Sequence, residues 1–147
     1  MALAVSACAK SNTSTSSSET SNAEGSSAPM AATSAAVTTA AASAGETAYT
    51  ANCASCHQAS GKGLTGSFPP LAGNPVVTGD PKKVIHIVKY GLSGKIMVGP
   101  DAFNGIMPPW ATQLSDDAVA GVVTFIRTSW GNKASAVIAA EVGAVKK

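Results

Sequence analysis

Cys53-Ala54-Ser55-Cys56-His57 sets two thiols three positions apart with an imidazole directly behind the second. On a helical backbone, positions three and four apart share a face, so the three side chains fall within one turn. Few chemistries use that grouping. Covalent haem c does: the thiols add across the two vinyl groups, and the adjacent imidazole falls beneath the iron as an axial ligand. A zinc knuckle needs four ligands, and beyond this motif the chain offers only His86 and the remote Cys8, with no second Cys-x-x-Cys and no His-x-x-x-His. A redox dithiol of the thioredoxin kind needs a βαβ setting, and no such pattern is visible. One covalent haem c is therefore the expected cofactor.

The rest of the composition agrees with a large prosthetic group. Of 147 residues the first 44 differ in character from the remainder, which leaves roughly 100 residues to fold. Only 5% of the chain is aromatic and 14 residues are glycine, so side chains alone fill such an interior poorly. The 10 basic and 8 acidic residues give a net charge of +2, too balanced for a protein that must neutralise many phosphates, and no nucleic-acid partner is expected.

The chain begins MALAVSACAK, a short apolar run ending at Cys8. VSAC resembles a bacterial lipobox, whose cysteine becomes the lipid-bearing N-terminus after cleavage. It lacks a positively charged leader, as a trimmed chain or a start codon set too late would. Cys8 is the expected lipidation site, and residues 1–44 are expected to be a signal remnant followed by a disordered Ser/Thr/Ala-rich linker. As a coil of about 35 residues that linker spans roughly 30–35 Å, enough to hold a domain off a membrane surface.

Helix signals appear downstream. GETAYTANCASCH puts Gly45, Tyr49 and Cys53 on one helical face. Asp80 followed by Pro81 caps PKKVIHIVKY, with Val84, Ile87 and Val88 as its apolar stripe, Lys82, Lys89 and His86 towards water, and Gly91 past its end. Ser115 caps SDDAVAGVVTFIRTSW, with Asp116 and Asp117 at its positive end, Arg127 near its negative end, and Val119, Val122, Val123 and Ile126 facing inward. Gly131 is expected to end it. No alternating run is long enough for a sheet, and residues 58–79 and 91–114 read as irregular loops. The expected fold class is all-α: three to five helices wrapped around one haem.

The sixth iron ligand decides what such a haem does. A side chain in that place favours electron carriage, whereas an open place allows small-molecule binding or peroxide chemistry. Met1 and Met30 fall in the tail, leaving Met97 in GKIMVGP and Met107 in NGIMPPWATQLS. Met107 is preferred because Pro108 and Pro109 stiffen its loop, and it lies far enough beyond His57 to reach the opposite haem face. His57 and Met107 are thus the expected axial ligands, Cys53 and Cys56 the thioether residues. His86, among lysines, is expected to be solvated.

With these features in order, residues 45–131 resemble a class I c-type cytochrome. The resemblance implies that Gly45 and Tyr49 cross a C-terminal helix at Val122 and Phe125. It also implies that in FPPLAG the carbonyl of Pro69, or of Pro70, accepts the remaining imidazole proton of His57. Trp110 and Trp130 can each donate to a haem propionate or simply pack; Trp130 is expected to pack, while Trp110 is counted among the cofactor contacts. FPPLAG, IVKYGLSGKIMV, FNGIMPPW and LSDDAVAGVVTFIRTSWGN together are similar to mono-haem subunits of periplasmic oxidoreductases and to haem domains fused to copper nitrite reductases. In that subfamily a C-terminal extension follows, here 132–147, expected to hold a short helix.

The implied protein is a monomeric, non-enzymatic electron carrier on the periplasmic side of a bacterial membrane, anchored by lipid at Cys8. Its partners would be a separate copper nitrite reductase, a terminal oxidase or a periplasmic dehydrogenase; Lys62, Lys82, Lys83, Lys89 and Lys95 can form a positive rim for docking or stand as ordinary solvated lysines. Two alternatives stand beside it: a subunit of a larger oxidoreductase, and a ligand-binding or peroxidatic haem protein with a displaceable methionine.

Overall fold

The computed structural model describes residues 42–147; Cys8, Met1, Met30 and the disorder expected of the tail lie outside the described residues. In chain order the elements are α1 (42–52), α2 (Ala54–His57), α3 (Pro75–Thr78), α4 (Pro81–Tyr90), β1 (Leu92–Val98), β2 (Asp101–Met107), α5 (Asp116–Thr128) and α6 (Ala139–Ala144). Local chemistry sets the helix starts. Asn74 accepts from Val76 N ahead of Pro75, Asp80 accepts from Lys82 N at 2.9 Å ahead of Pro81, and Ser115 accepts from Ala118 N at 3.2 Å.

The all-α expectation fails in one place. β1 and β2 form an antiparallel hairpin, in register from Leu92 opposite Met107 to Val98 opposite Asp101, turning at Gly99-Pro100. The hairpin occupies most of the span read as loop 91–114. Alternation gave no warning because apolar residues stand on both faces: Ile96 and Phe103 face each other on the inner side, while Met97 and Ile106 stay 55% and 81% exposed outside. Gly94 facing Gly105 breaks the pattern further. Helices also number six among the described residues, against three to five expected: the turn at Cys53 divides the helix expected of GETAYTANCASCH into α1 and α2, and α3 is too short for periodicity to register. The other expected loop, 58–79, contains α3.

The core forms where α1 crosses α5. An added Cβ on Gly45 would stand 2.0 Å from Gly121 O and 3.0 Å from Val122 N, so the backbones touch. One turn on, Tyr49 packs on Phe125 with ring centroids 5.3 Å apart. Val119, Val123 and Ile126 of α5 meet Val84, Ile85 and Val88 of α4, and Val137 and Val142 close the far side. Burying each such side chain contributes roughly 1.5–3 kcal/mol. Ile85, not in the expected stripe, is fully buried.

Two cations lie inside, Lys89 against the expectation that it faces water. Lys89 is only 8% exposed; its Nζ donates to Val142 O at 2.8 Å and Val145 O at 3.3 Å, and lies 3.5 Å from Asp116 Oδ1. The C-terminal segment folds over α4 and supplies these oxygens, which no pattern within α4 can foretell. Arg127, 2% exposed, donates from Nη1 to Val77 O at 2.7 Å and Gly79 O at 2.9 Å, and from Nε to Ser135 O at 2.9 Å. It ties three segments together as well as sitting in the last turn of α5. That helix stops at Thr128, and Gly131 with φ +88° reverses the chain just beyond the Ser129 cap.

Because the α1–α5 approach leaves no room for a methyl group, Gly45→Ala is expected to lower stability by about 1–3 kcal/mol, read as a shift in the urea unfolding midpoint of the haem-loaded protein.

Candidate haem site

The motif is held by continuous helical bonding. Cys53 N donates to Tyr49 O at 2.8 Å and His57 N to Cys53 O at 2.9 Å, so α1 passes through the turn at Cys53 into α2. Cys53, Cys56 and His57 thereby reach one cavity of about 580 Å³, walled by Leu71, Val84 and Val88 on one side, Val122 and Ile126 of α5, and Ile96, Phe103 and Met107 of the hairpin. That volume lies within the range of prosthetic-group pockets.

His57 Nδ1 lies 3.0 Å from Pro69 O. A carbonyl only accepts, so Nδ1 carries the proton and Nε2 keeps its lone pair for another partner. The neighbouring Pro70 O instead takes Asn74 Nδ2 at 2.8 Å. Gly63 makes the Pro69 contact possible: a Cβ there would stand 2.2 Å from Phe68 O and 2.7 Å from Pro69 O, and its own N–H donates to His57 O at 3.0 Å. Sequence reasoning missed Gly63; a glycine six residues before a proline pair carried no distinct signal. Burial lowers the His57 pKa below its ordinary 6.5, with the Pro69 bond opposing, which favours the neutral imidazole a metal requires.

The cysteines are unbonded to each other, and burial followed by the charge of Cys56 pushes the Cys53 thiol up to about 11. Redox dithiols work by the opposite shift, to roughly 3.5–7.5. Nor does a zinc cage form: among the described residues no three His, Cys, Asp or Glu side chains converge. His86 is exposed on α4, its ring 5.0 Å from that of Tyr90, and does not reach the cavity.

Met107 lines the cavity half-buried, but as the last residue of β2 rather than in a loop; the stiffening prolines follow it. Met97 borders the cavity from the mostly exposed face of β1. Trp110 is half-buried in the cavity wall, its main-chain N–H donating to Val88 O at 3.1 Å. Trp130 packs on Tyr49 and Phe125, with centroids 5.2 and 5.3 Å away, and donates Nε1–H to Ala59 O at 3.1 Å. No buried side-chain polar atom among the described residues lacks a partner. The cavity therefore offers a broad apolar surface plus two thiols, an imidazole and a thioether, a donor set that fits a porphyrin with iron at its centre.

Residues 40–126 match the family described as cytochrome c oxidase, cbb3-type, subunit III. The chain belongs to this family. Similar proteins include the cytochrome c subunit of a quinone alcohol dehydrogenase from Gluconobacter oxydans, 42% identical over 67% of this chain and 20% of that protein. Cytochrome c-552 of Thermus thermophilus is 42% identical over 56% of this chain and 65% of its own length. The cytochrome c subunit of gluconate 2-dehydrogenase from Pantoea cypripedii is 39% identical over 68% of this chain and 23% of its own. The chain thus spans about a fifth of the dehydrogenase subunits it matches and roughly two thirds of the small cytochrome. Covalent haem c is the cofactor of this cytochrome family and of this chain, and such cytochromes carry electrons without being catalysts themselves.

In this cytochrome Tyr49 secures the motif from behind, its OH donating to Gln58 O at 2.7 Å. Burial, and to a lesser degree the Cys53 charge, raise its pKa from 10.0 to about 12. The folded state then holds a proton that the unfolded state releases, so stability present below about pH 10 is lost as pH rises towards about 12. Urea unfolding across that interval is expected to show the decline, and Tyr49→Phe to flatten it.

Proposed function

We propose that this chain is a one-electron carrier whose haem c would be joined to Cys53 and Cys56 by thioether bonds and whose iron would be held by His57 and Met107. The observation that carries the proposal is the convergence of these four side chains on one apolar cavity, with the His57 tautomer already fixed by Pro69. When bound, haem supplies a reversible Fe(II)/Fe(III) couple. Two covalent bonds from one helical turn keep the group in place whatever its charge. Pro69 fixes the ring plane of His57 and raises its basicity as a ligand. Met107 offers a soft thioether, which favours the reduced metal and raises the potential. The apolar walls keep water away, so little has to rearrange when charge changes. Trp110, half-buried in the wall, is the further cofactor contact we assign.

We place this domain, residues 45–131, on the extracytoplasmic side of a bacterial membrane, tethered at Cys8 through the linker. Among the described residues no helix is long and apolar enough to cross a membrane. Its partners are redox proteins: a dehydrogenase, a terminal oxidase or a copper nitrite reductase. Lys62, Lys82, Lys83 and Lys95 are exposed and remain available to steer docking, whereas Lys89 is buried and leaves that rim. The likeness to cytochrome subunits of alcohol and gluconate dehydrogenases favours a second reading, residence in a larger oxidoreductase; co-purification with a dehydrogenase from membranes separates it from a free shuttle.

The oxidised protein is expected to show the long-wavelength methionine-to-iron charge-transfer band. Met107→Ala abolishes it and Met97→Ala leaves it. A missing band in the parent, or ready CO binding by the reduced parent at neutral pH, contradicts the carrier reading. The Cys53→Ala/Cys56→Ala double variant is expected to release its haem into acidified acetone, which the parent does not.

A further inference from the structure

Gly91 closes α4 in left-handed backbone, φ +80°, with its N–H on Ile87 O at 2.8 Å. A Cβ there would stand 2.5 Å from Met107 O, 3.1 Å from Pro109 N and 3.3 Å from Pro108 C. The backbone of Met107-Pro108-Pro109 therefore passes directly over the Gly91 α-carbon. The same helical turn takes two bonds from the chain that follows: Trp110 N–H donates to Val88 O and Ala111 N–H to Lys89 O, each at 3.1 Å. Both prolines have φ fixed near −65°, so the strap between Met107 and Trp110 has few dihedrals free to absorb a displacement. From the other side Leu92, bonded covalently to Gly91, faces Met107 across the hairpin.

That turn of α4 is itself held from outside. Lys89 Nζ reaches the carbonyls of Val142 and Val145 beside Asp116, and Tyr90 OH donates to Val145 O at 3.0 Å. A buried ammonium satisfied by carbonyls is costly to leave unpaired, so the turn and the C-terminal segment hold each other in place.

We propose that the last turn of α4 is the seat of Met107: Gly91 is a positioning residue that sets how far the thioether reaches across the cavity, and Lys89 anchors the seat to the C-terminal segment. The proposal rests on Met107 being the residue that would hold the haem iron with His57. A side chain at Gly91 would push against the Met107 carbonyl, and the stiff strap would pass that push to the sulfur.

The test compares three haem-loaded variants by the long-wavelength band and by haem content. Gly91→Ala is expected to retain covalent haem and lose the band at least tenfold. Gly99→Ala bears the same left-handed strain, φ +60°, but its Cβ meets nothing within 4 Å, and it is expected to keep the band. A full band in Gly91→Ala, or an equal loss in Gly99→Ala, overturns the seat. Met107→Ala separates the two failures: if it keeps the band, the ligand assignment falls and the seat with it, whereas its loss alongside a full band in Gly91→Ala refutes the seat alone. Should Gly91→Ala yield no haem protein, Lys89→Met decides. Its band is expected to vanish at lower urea than its helical circular dichroism, with Lys89→Arg restoring coincidence; coincident loss in Lys89→Met overturns the proposal.

Discussion

Two helices approach so closely at Gly45 and Gly121 that a single methyl group would collide with a carbonyl oxygen. This contact fixes the angle at which α1 runs into the haem motif, because no side chain separates the backbones and nothing there can adjust. Tyr49, one turn further, lies against Phe125 and Trp130 and bonds the carbonyl of Gln58 just past His57. The motif is thereby aimed at the side of α5 that carries Val122 and Ile126. Those residues form one wall of the cavity, and the hairpin, hung from the end of α4, brings Met107 to it from another direction.

Buried cations then lock the walls together. Arg127 spends its guanidinium on three main-chain carbonyls, from the α3 end and from the chain after α5. Lys89 does the same for the C-terminal segment. Both charges are satisfied mainly by carbonyl oxygens, so each acts as a multi-armed hydrogen-bond donor that fixes segments lacking regular structure. In a domain with little aromatic mass, such ties supply order that packing alone supplies in larger cores.

Much of this was legible in the chain. The Cys53–His57 spacing, the Asp80 and Ser115 caps and the valine stripe of α5 are local signals, and each lies within one or two helical turns. The features that escaped are those whose partner is distant or whose pattern is mixed. Gly63 matters only because the backbone of Phe68 and Pro69 lands on it. Lys89 looked solvated because the oxygens it bonds lie more than fifty residues away. The hairpin was missed because Met97 and Ile106 leave apolar groups on its outer face, which erases the alternation that a strand facing water usually shows.

In the proposed site the imidazole of His57 and the thioether of Met107, brought to one apolar cavity by α2 and β2, would together hold the iron of the covalently bound haem. X-ray absorption at the iron edge of the purified protein reads this directly, in both oxidation states. Nitrogen scatterers from porphyrin and His57 are expected together with a single sulfur at bonding distance, retained on reduction. An iron shell without sulfur, or one that gains an oxygen scatterer in its place, would contradict it.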